Sequence, residues 1–142
     1  MMVERMFEIK LGVAKGSPIE EAVEANFAGE AATLGLYLAM ARQAEREGYP
    51  EIAEVLKSVA FEEAWHAARY AELNGKISAS TKENLEGRLK GEQDSNKSKH
   101  KAAMMAKEAG IDEAHDFFEE SARDEARHAR ALEGLLKRYF GR

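Results

Sequence analysis

Two short stretches, "EAWH" and "EARH", place Glu63 three residues before His66 and Glu125 three residues before His128. On a helix that spacing puts the carboxylate and the imidazole on one face. A single copy would read as an exposed glutamate beside a half-buried histidine. The two copies, however, belong to a longer repeat. "FAGE" ends in Glu30 and "LKGE" in Glu92, and 33 residues separate Glu30 from Glu63 and Glu92 from Glu125 alike. Gly48 and Gly110 each lie 18 residues after the leading glutamate, in the matching stretches "AEREG" and "AKEAG". Together the copies supply four carboxylates and two imidazoles. Four carboxylates neutralise two divalent cations, can bridge them, and leave each cation one imidazole. An oxygen-rich set of this kind suits iron or manganese. The alternative is a bundle of buried, hydrogen-bonded Glu–His pairs that binds no stoichiometric metal.

Such a set needs helices to present it. After Gly16, "SPIE" offers Ser17 as N-cap, Pro18 at the first helical position and Glu20 to close a capping box. A first long helix is predicted from Pro18 to about Glu47. Pro50 opens a second, which runs to about Leu73 and stops at Asn74-Gly75. Ser80 and Glu83 repeat the capping-box pattern, so a third starts near Thr81 and ends at Gly110. Asp112 is the expected N-cap of a fourth, reaching about Tyr139. The inward stripe of the second helix reads Ile52, Leu56, Val59, Glu63, His66, Tyr70 and Leu73. That of the fourth reads Phe118, Ala122, Glu125, His128, Leu132 and Leu136. Acid and histidine interrupt both stripes, and unpaired charge on a core face is costly. Four long helices predict an all-α four-helix bundle over residues 17–142, built from two helical hairpins. Val3, Met6, Phe7, Lys10, Leu11 and Ala14 predict a short amphipathic helix within residues 1–16. Ferritin-like dimetal proteins hold their metals with this same set, one Glu from each of two helices and Glu-x-x-His from each of the others.

Composition narrows the classes. The chain has 142 residues, 44% hydrophobic and 33% charged, enough for one domain with a sizeable core. Its net charge of −5 and the lack of a basic stripe argue against nucleic acid as a partner. It has no cysteine, which excludes disulfides, iron–sulfur clusters, thiolate zinc sites and a thiol nucleophile, and suits a cytoplasmic protein. "MMVERMFEIKLGVAKG" lacks the apolar run of a signal peptide, and no stretch is long enough to span a membrane.

From about Ile19 to Tyr139 the chain resembles the rubrerythrin family, and in particular its erythrin-type four-helix domain. The resemblance rests on "NFAGEAATLGLYLAMARQAEREGYPEIA", "EEAWHA" and "DEARHA". It implies a ferritin-like bundle, a site of two iron ions (with manganese or zinc as alternatives) and reduction of hydrogen peroxide to water. By position, Glu30, Glu63, His66, Glu92, Glu125 and His128 match the family's metal ligands. Tyr37 matches a tyrosine that hydrogen-bonds near the site, where it could supply a proton; the other reading is an ordinary core tyrosine. The apolar wall around such a site would include Phe27, Leu34, Val59 and Phe118. Two departures stand out. Without cysteine the chain resembles the short, rubredoxin-free members such as sulerythrin, so electrons must come from an external donor such as a rubredoxin-like protein. The family's "GExxE" on the third helix becomes Glu92 followed by Ser95, with Asp94 adjacent but about 100° away; a one-residue slip, as when the pattern is read back from Gly110, would put Asp94 in that place instead. That loss keeps ferritin-type iron oxidation and storage open as a rival, and catalase-like dimanganese chemistry needs the same ligands. His100 either lines the pocket or is solvated, and His115 is expected at the surface.

The repeat also constrains assembly. Within one bundle the connector from the second helix to the third must climb about 32 Å, whereas residues 74–80 span at most about 28 Å. A domain-swapped homodimer avoids that climb, each site taking Glu30, Glu63 and His66 from one chain and Glu92, Glu125 and His128 from the other. The stretch "GEQDSNKSKHK" remains the anomaly. Ser95, Asn96 and Lys99 share the face of Glu92, where the first helix has Thr33, Leu34 and Tyr37. Their polarity predicts either a side that is wet and open, or a segment that is distorted or mobile.

Overall fold

The computed structural model describes residues 10–141. Four helices account for most of them: α1 (Glu20–Arg46), α2 (Pro50–Leu73), α3 (Thr81–Glu108) and α4 (Asp112–Phe140). Among the described residues there is no strand, and no helix is long and apolar enough to cross a membrane. The chain divides into two compact units, one ending at Ala79 and one starting at Ser80. Each is a helical hairpin, α1 against α2 and α3 against α4. The predicted N-terminal helix lies largely outside the described residues, and its last part, Leu11 to Gly16, forms turns instead.

The internal repeat is visible in the two hairpin turns. At the end of α1 the Tyr49 N–H donates to the Ala44 carbonyl at 2.8 Å, and the Gly48 N–H to Glu45 at 3.1 Å. At the end of α3 the Ile111 N–H donates to Ala106 and the Gly110 N–H to Lys107, both at 3.0 Å. This paired pattern closes a helix around a left-handed residue. Gly48 and Gly110 take that role, with φ of +86° and +72°. A Cβ on either would meet nothing within 4 Å. Replacing Gly110 by Ala should therefore act through the backbone alone, lowering stability by about 1 kcal/mol. A fall in the urea midpoint at unchanged slope checks this.

Two helix starts differ from the reading above. Pro18 precedes α1, which is entered through Ile19. The capping hydrogen bonds survive with shifted partners. The Ile19 N–H reaches Ser17 Oγ at 3.2 Å, and the Gly16 N–H reaches Glu20 Oε2 at 3.0 Å. Asp112 is the first residue of α4 and not its cap, because Ile111 already serves the turn that closes α3. Its carboxylate still sits favourably at the positive end of the helix dipole. Ser80 caps α3 as expected, accepting from the Glu83 N–H at 3.3 Å.

The seams between paired helices are built largely from alanine. Ala41, Ala44 and Ala53 pack with Leu56 in the first hairpin, where Ala60 and Ala67 are also buried. Leu89, Ala103, Ala106, Ala122 and Leu136 are buried in the second. Small side chains let the backbones approach closely, so larger apolar residues point elsewhere. Ile52, predicted to face inward, is exposed together with Leu38, Val55, Phe61 and Trp65. Phe27, Leu34, Val59 and Phe118 are half-buried.

Both ends of the first hairpin fix its register. Opposite the turn, the Gly12 and Ala14 N–H groups donate to the Glu72 and Leu73 carbonyls at 2.8 and 2.9 Å, covering the end of α2. A Cβ on Gly75 would come within 3.2 Å of the Gly12 Cα, so glycine is needed for this approach. Buried Asn74 donates to the Glu20 carbonyl at 3.1 Å, and Lys76 pairs with Glu24 at 2.9 Å. The Lys76 ammonium holds the Glu24 carboxyl below its ordinary value. The start of α1 is thereby tied to the end of α2, leaving Glu30 and Glu63 between two fixed points.

Candidate metal centre

Each hairpin brings one acid from its first helix against the Glu-x-x-His of its second. In the first, ligand atoms of Glu30, Glu63 and His66 lie within 4.8 Å of one another. In the second, Glu92, Glu125 and His128 do the same. All six residues singled out by the repeat are therefore gathered into two clusters of three. His66 Nδ1 stands 3.5 Å from Glu30 Oε1, and His128 Nδ1 stands 3.5 Å from Glu92 Oε2. The carboxylates are the sheltered members, with side-chain exposures of 20% for Glu30, 14% for Glu92 and 16% for Glu125. The imidazoles are about half exposed.

Two atoms test whether the clusters fit a cation. Glu30 Oε2 and Glu92 Oε2 are buried without a hydrogen-bond partner. A buried carboxylate oxygen left unpaired is costly, and a divalent cation is a partner that would remove the penalty. The same orphan occurs at the matching position of both repeats, as expected for a shared ligand role. Two carboxylates and a neutral imidazole are donors for iron, manganese or zinc. The open groove beside the first cluster is lined by Asn26, Gly29, Thr33 and Glu63. The Thr33 hydroxyl turns back to the Gly29 carbonyl at 2.7 Å and makes no claim on the cluster.

The polar stretch after Glu92 is not distorted. It continues α3 as regular helix and fastens it to α4. Asn96 donates to the Ala122 carbonyl at 2.6 Å, His100 Nδ1 lies 3.2 Å from Glu119, and Lys99 pairs with Glu125. His100 is thus a link between helices. Asp94 stands outside the cluster, largely exposed and 3.7 Å from Lys90, and Ser95 is half-buried. His115 is half-buried beside Asp116 at 3.1 Å. Tyr37 is half-buried on the face of Glu30, two turns along α1. Two contacts of the second cluster were not foreseen in the sequence: the pairing of Lys99 with Glu125, and Arg88, whose Nη2 is 3.4 Å from Glu92. The repeat puts Lys99 in the register of Tyr37, seven residues after the leading glutamate, but does not show which acid it meets.

The rubrerythrin family model matches residues 21–136. The chain is 61% identical over 140 residues to the uncharacterized protein MJ0746 of Methanocaldococcus jannaschii, covering 99% of both. It is 52% identical over 136 residues to reverse rubrerythrin-1 of Clostridium acetobutylicum, covering 94% of this chain and 75% of that one. It is 32% identical over 149 residues to a rubrerythrin of Porphyromonas gingivalis, covering 96% and 74%. With four helices in two hairpins and the paired Glu, Glu-x-x-His clusters, this all-α, ferritin-like chain belongs to the rubrerythrin family.

Proposed function

We propose that the chain is a dimetal peroxidase of rubrerythrin type, reducing hydrogen peroxide to water with electrons from an external donor. The duplicated cluster with its matching pair of unpartnered buried oxygens carries this reading. Glu30, Glu63 and His66 would hold one ion, and Glu92, Glu125 and His128 the other. Two bound iron ions would supply two electrons and the Lewis acidity that weakens the O–O bond. Peroxide, two electrons and two protons give two waters, and the external donor restores the electrons. The carboxylates balance the changing charge. Tyr37 is the candidate donor of a proton, a role for which a half-buried phenol on the Glu30 face is suited. The exposed apolar residues of the first hairpin and the short connector support assembly as a domain-swapped homodimer.

One observation favours a second reading. The third-helix position that carries a further carboxylate in the resemblance is Ser95 here, and Asp94 is turned to Lys90. A site one carboxylate poorer suits iron oxidation without peroxide turnover. Anaerobic loading with Fe(II), followed by separate titration with peroxide and with oxygen, tells the two apart. Oxidation about tenfold or more faster by peroxide is expected. The reverse preference would make the protein a ferroxidase, and less than stoichiometric metal would remove both readings.

A further inference from the structure

The two clusters have the same ligand types but different neighbours. Among the described residues, Glu30 and Glu63 have no lysine or arginine at ion-pair distance. Both acids of the second cluster do: Lys99 on Glu125 and Arg88 on Glu92. The repeat shows that these cations are particular to one half. Lys99 takes the register of Tyr37, and Arg88 takes that of Asn26, whose amide turns to the Ala22 carbonyl at 2.8 Å. Of the two, Lys99 has the greater leverage. Its side chain is 29% exposed against 65% for Arg88, and solvent screens an exposed pair. It also engages Oε1 of Glu125, while Oε2 lies 3.9 Å from His128.

We propose that Lys99 makes the two halves unequal: an ammonium fixed on Glu125 lowers the affinity of the Glu92, Glu125 and His128 cluster for a divalent cation, so that the Glu30, Glu63 and His66 cluster fills first. The inference rests on the dimetal reading. A cation entering the second cluster either shares Glu125 with the ammonium or displaces it, and in both cases it meets a like charge. A doubly charged ion about 6 Å from a single positive charge loses roughly tenfold in affinity even at the dielectric constant of bulk water. Partial burial enlarges the effect.

Anaerobic titration of the metal-free, full-length protein with Co(II), followed by calorimetry and by the cobalt visible spectrum, tests this. Two steps per chain, about tenfold or more apart, are expected. His66→Ala should remove the tighter step and His128→Ala the weaker. Lys99→Gln should strengthen the weaker step about tenfold, and Lys99→Arg, which keeps the charge, should leave the steps apart. If Lys99→Gln loosens the hairpin by circular dichroism, Lys99→Tyr, which copies the residue in the first repeat, takes its place. Two equal steps in the parent protein, or a weaker step unmoved by loss of the lysine charge, would overturn the proposal and leave the dimetal reading standing. Absence of stoichiometric cobalt would overturn both.

Discussion

Replacing Glu63 by Gln should abolish peroxide reduction while leaving the metal-free protein as stable as before, or slightly more so. The opposite signs follow from the geometry. Without a cation, Glu30 and Glu63 bring two carboxylates within 4.8 Å of each other, and one buried oxygen has no partner. Such crowding is destabilising by itself, and neutralising one member relieves it. With a cation the balance reverses. A ligand bound to the folded state stabilises it by about 4 kcal/mol at a thousandfold excess over its dissociation constant. For a domain of this size that corresponds to a rise in melting temperature of roughly 10 °C. The variant should lose most of that rise. Melting curves with and without Co(II) or Fe(II), under argon, provide the measurement. An equal metal-dependent shift in parent and variant would show that Glu63 is no ligand. A metal-free variant that melted well below the parent would mean that the acid has a structural partner instead.

Much of this site was legible in the sequence because it is written twice. One Glu-x-x-His among so many glutamates is ambiguous, but a second copy at the same distance from a matching glutamate and glycine is not. The hairpin ends were equally legible, since Gly48 and Gly110 mark positions where the backbone must turn left-handed. The helical stripes were less so. Periodicity reports that one face is apolar but not which neighbour covers it, and here alanine forms much of the seam while Ile52 lies exposed. The contacts of the stretch after Glu92 were less legible for a related reason. Composition presents Asn96, Lys99 and His100 as solvated, yet their partners Ala122, Glu125 and Glu119 lie 26, 26 and 19 residues away. Local spacing rules do not reach that far. Polar residues that fasten one helix to another therefore look the same, in sequence, as polar residues that face water.

The assembly can be read through the two clusters, because a swapped dimer divides each dimetal site between chains. Take one variant disabled in the first cluster, Glu63→Gln with His66→Ala, and another disabled in the second, Glu125→Gln with His128→Ala. Alone, each has only half-sites and should be inactive. Unfolded together and refolded as an equal mixture, they pair at random, and about half of the dimers contain one chain of each kind. In a swapped mixed dimer, the intact first cluster of one chain meets the intact second cluster of the other. One of its two sites is then wholly native and the other wholly disabled. The mixture should recover about a quarter of the parent activity, from two inactive parents. If each site formed within a single chain, every site in the mixture would keep one disabled cluster and nothing would return. A quarter and zero are far enough apart to be read without purifying the mixed dimer. The short connector argues for the quarter: residues 74–80 carry the chain from the end of α2 at Leu73 to the start of α3 at Thr81, and they reach at most about 28 Å when fully extended.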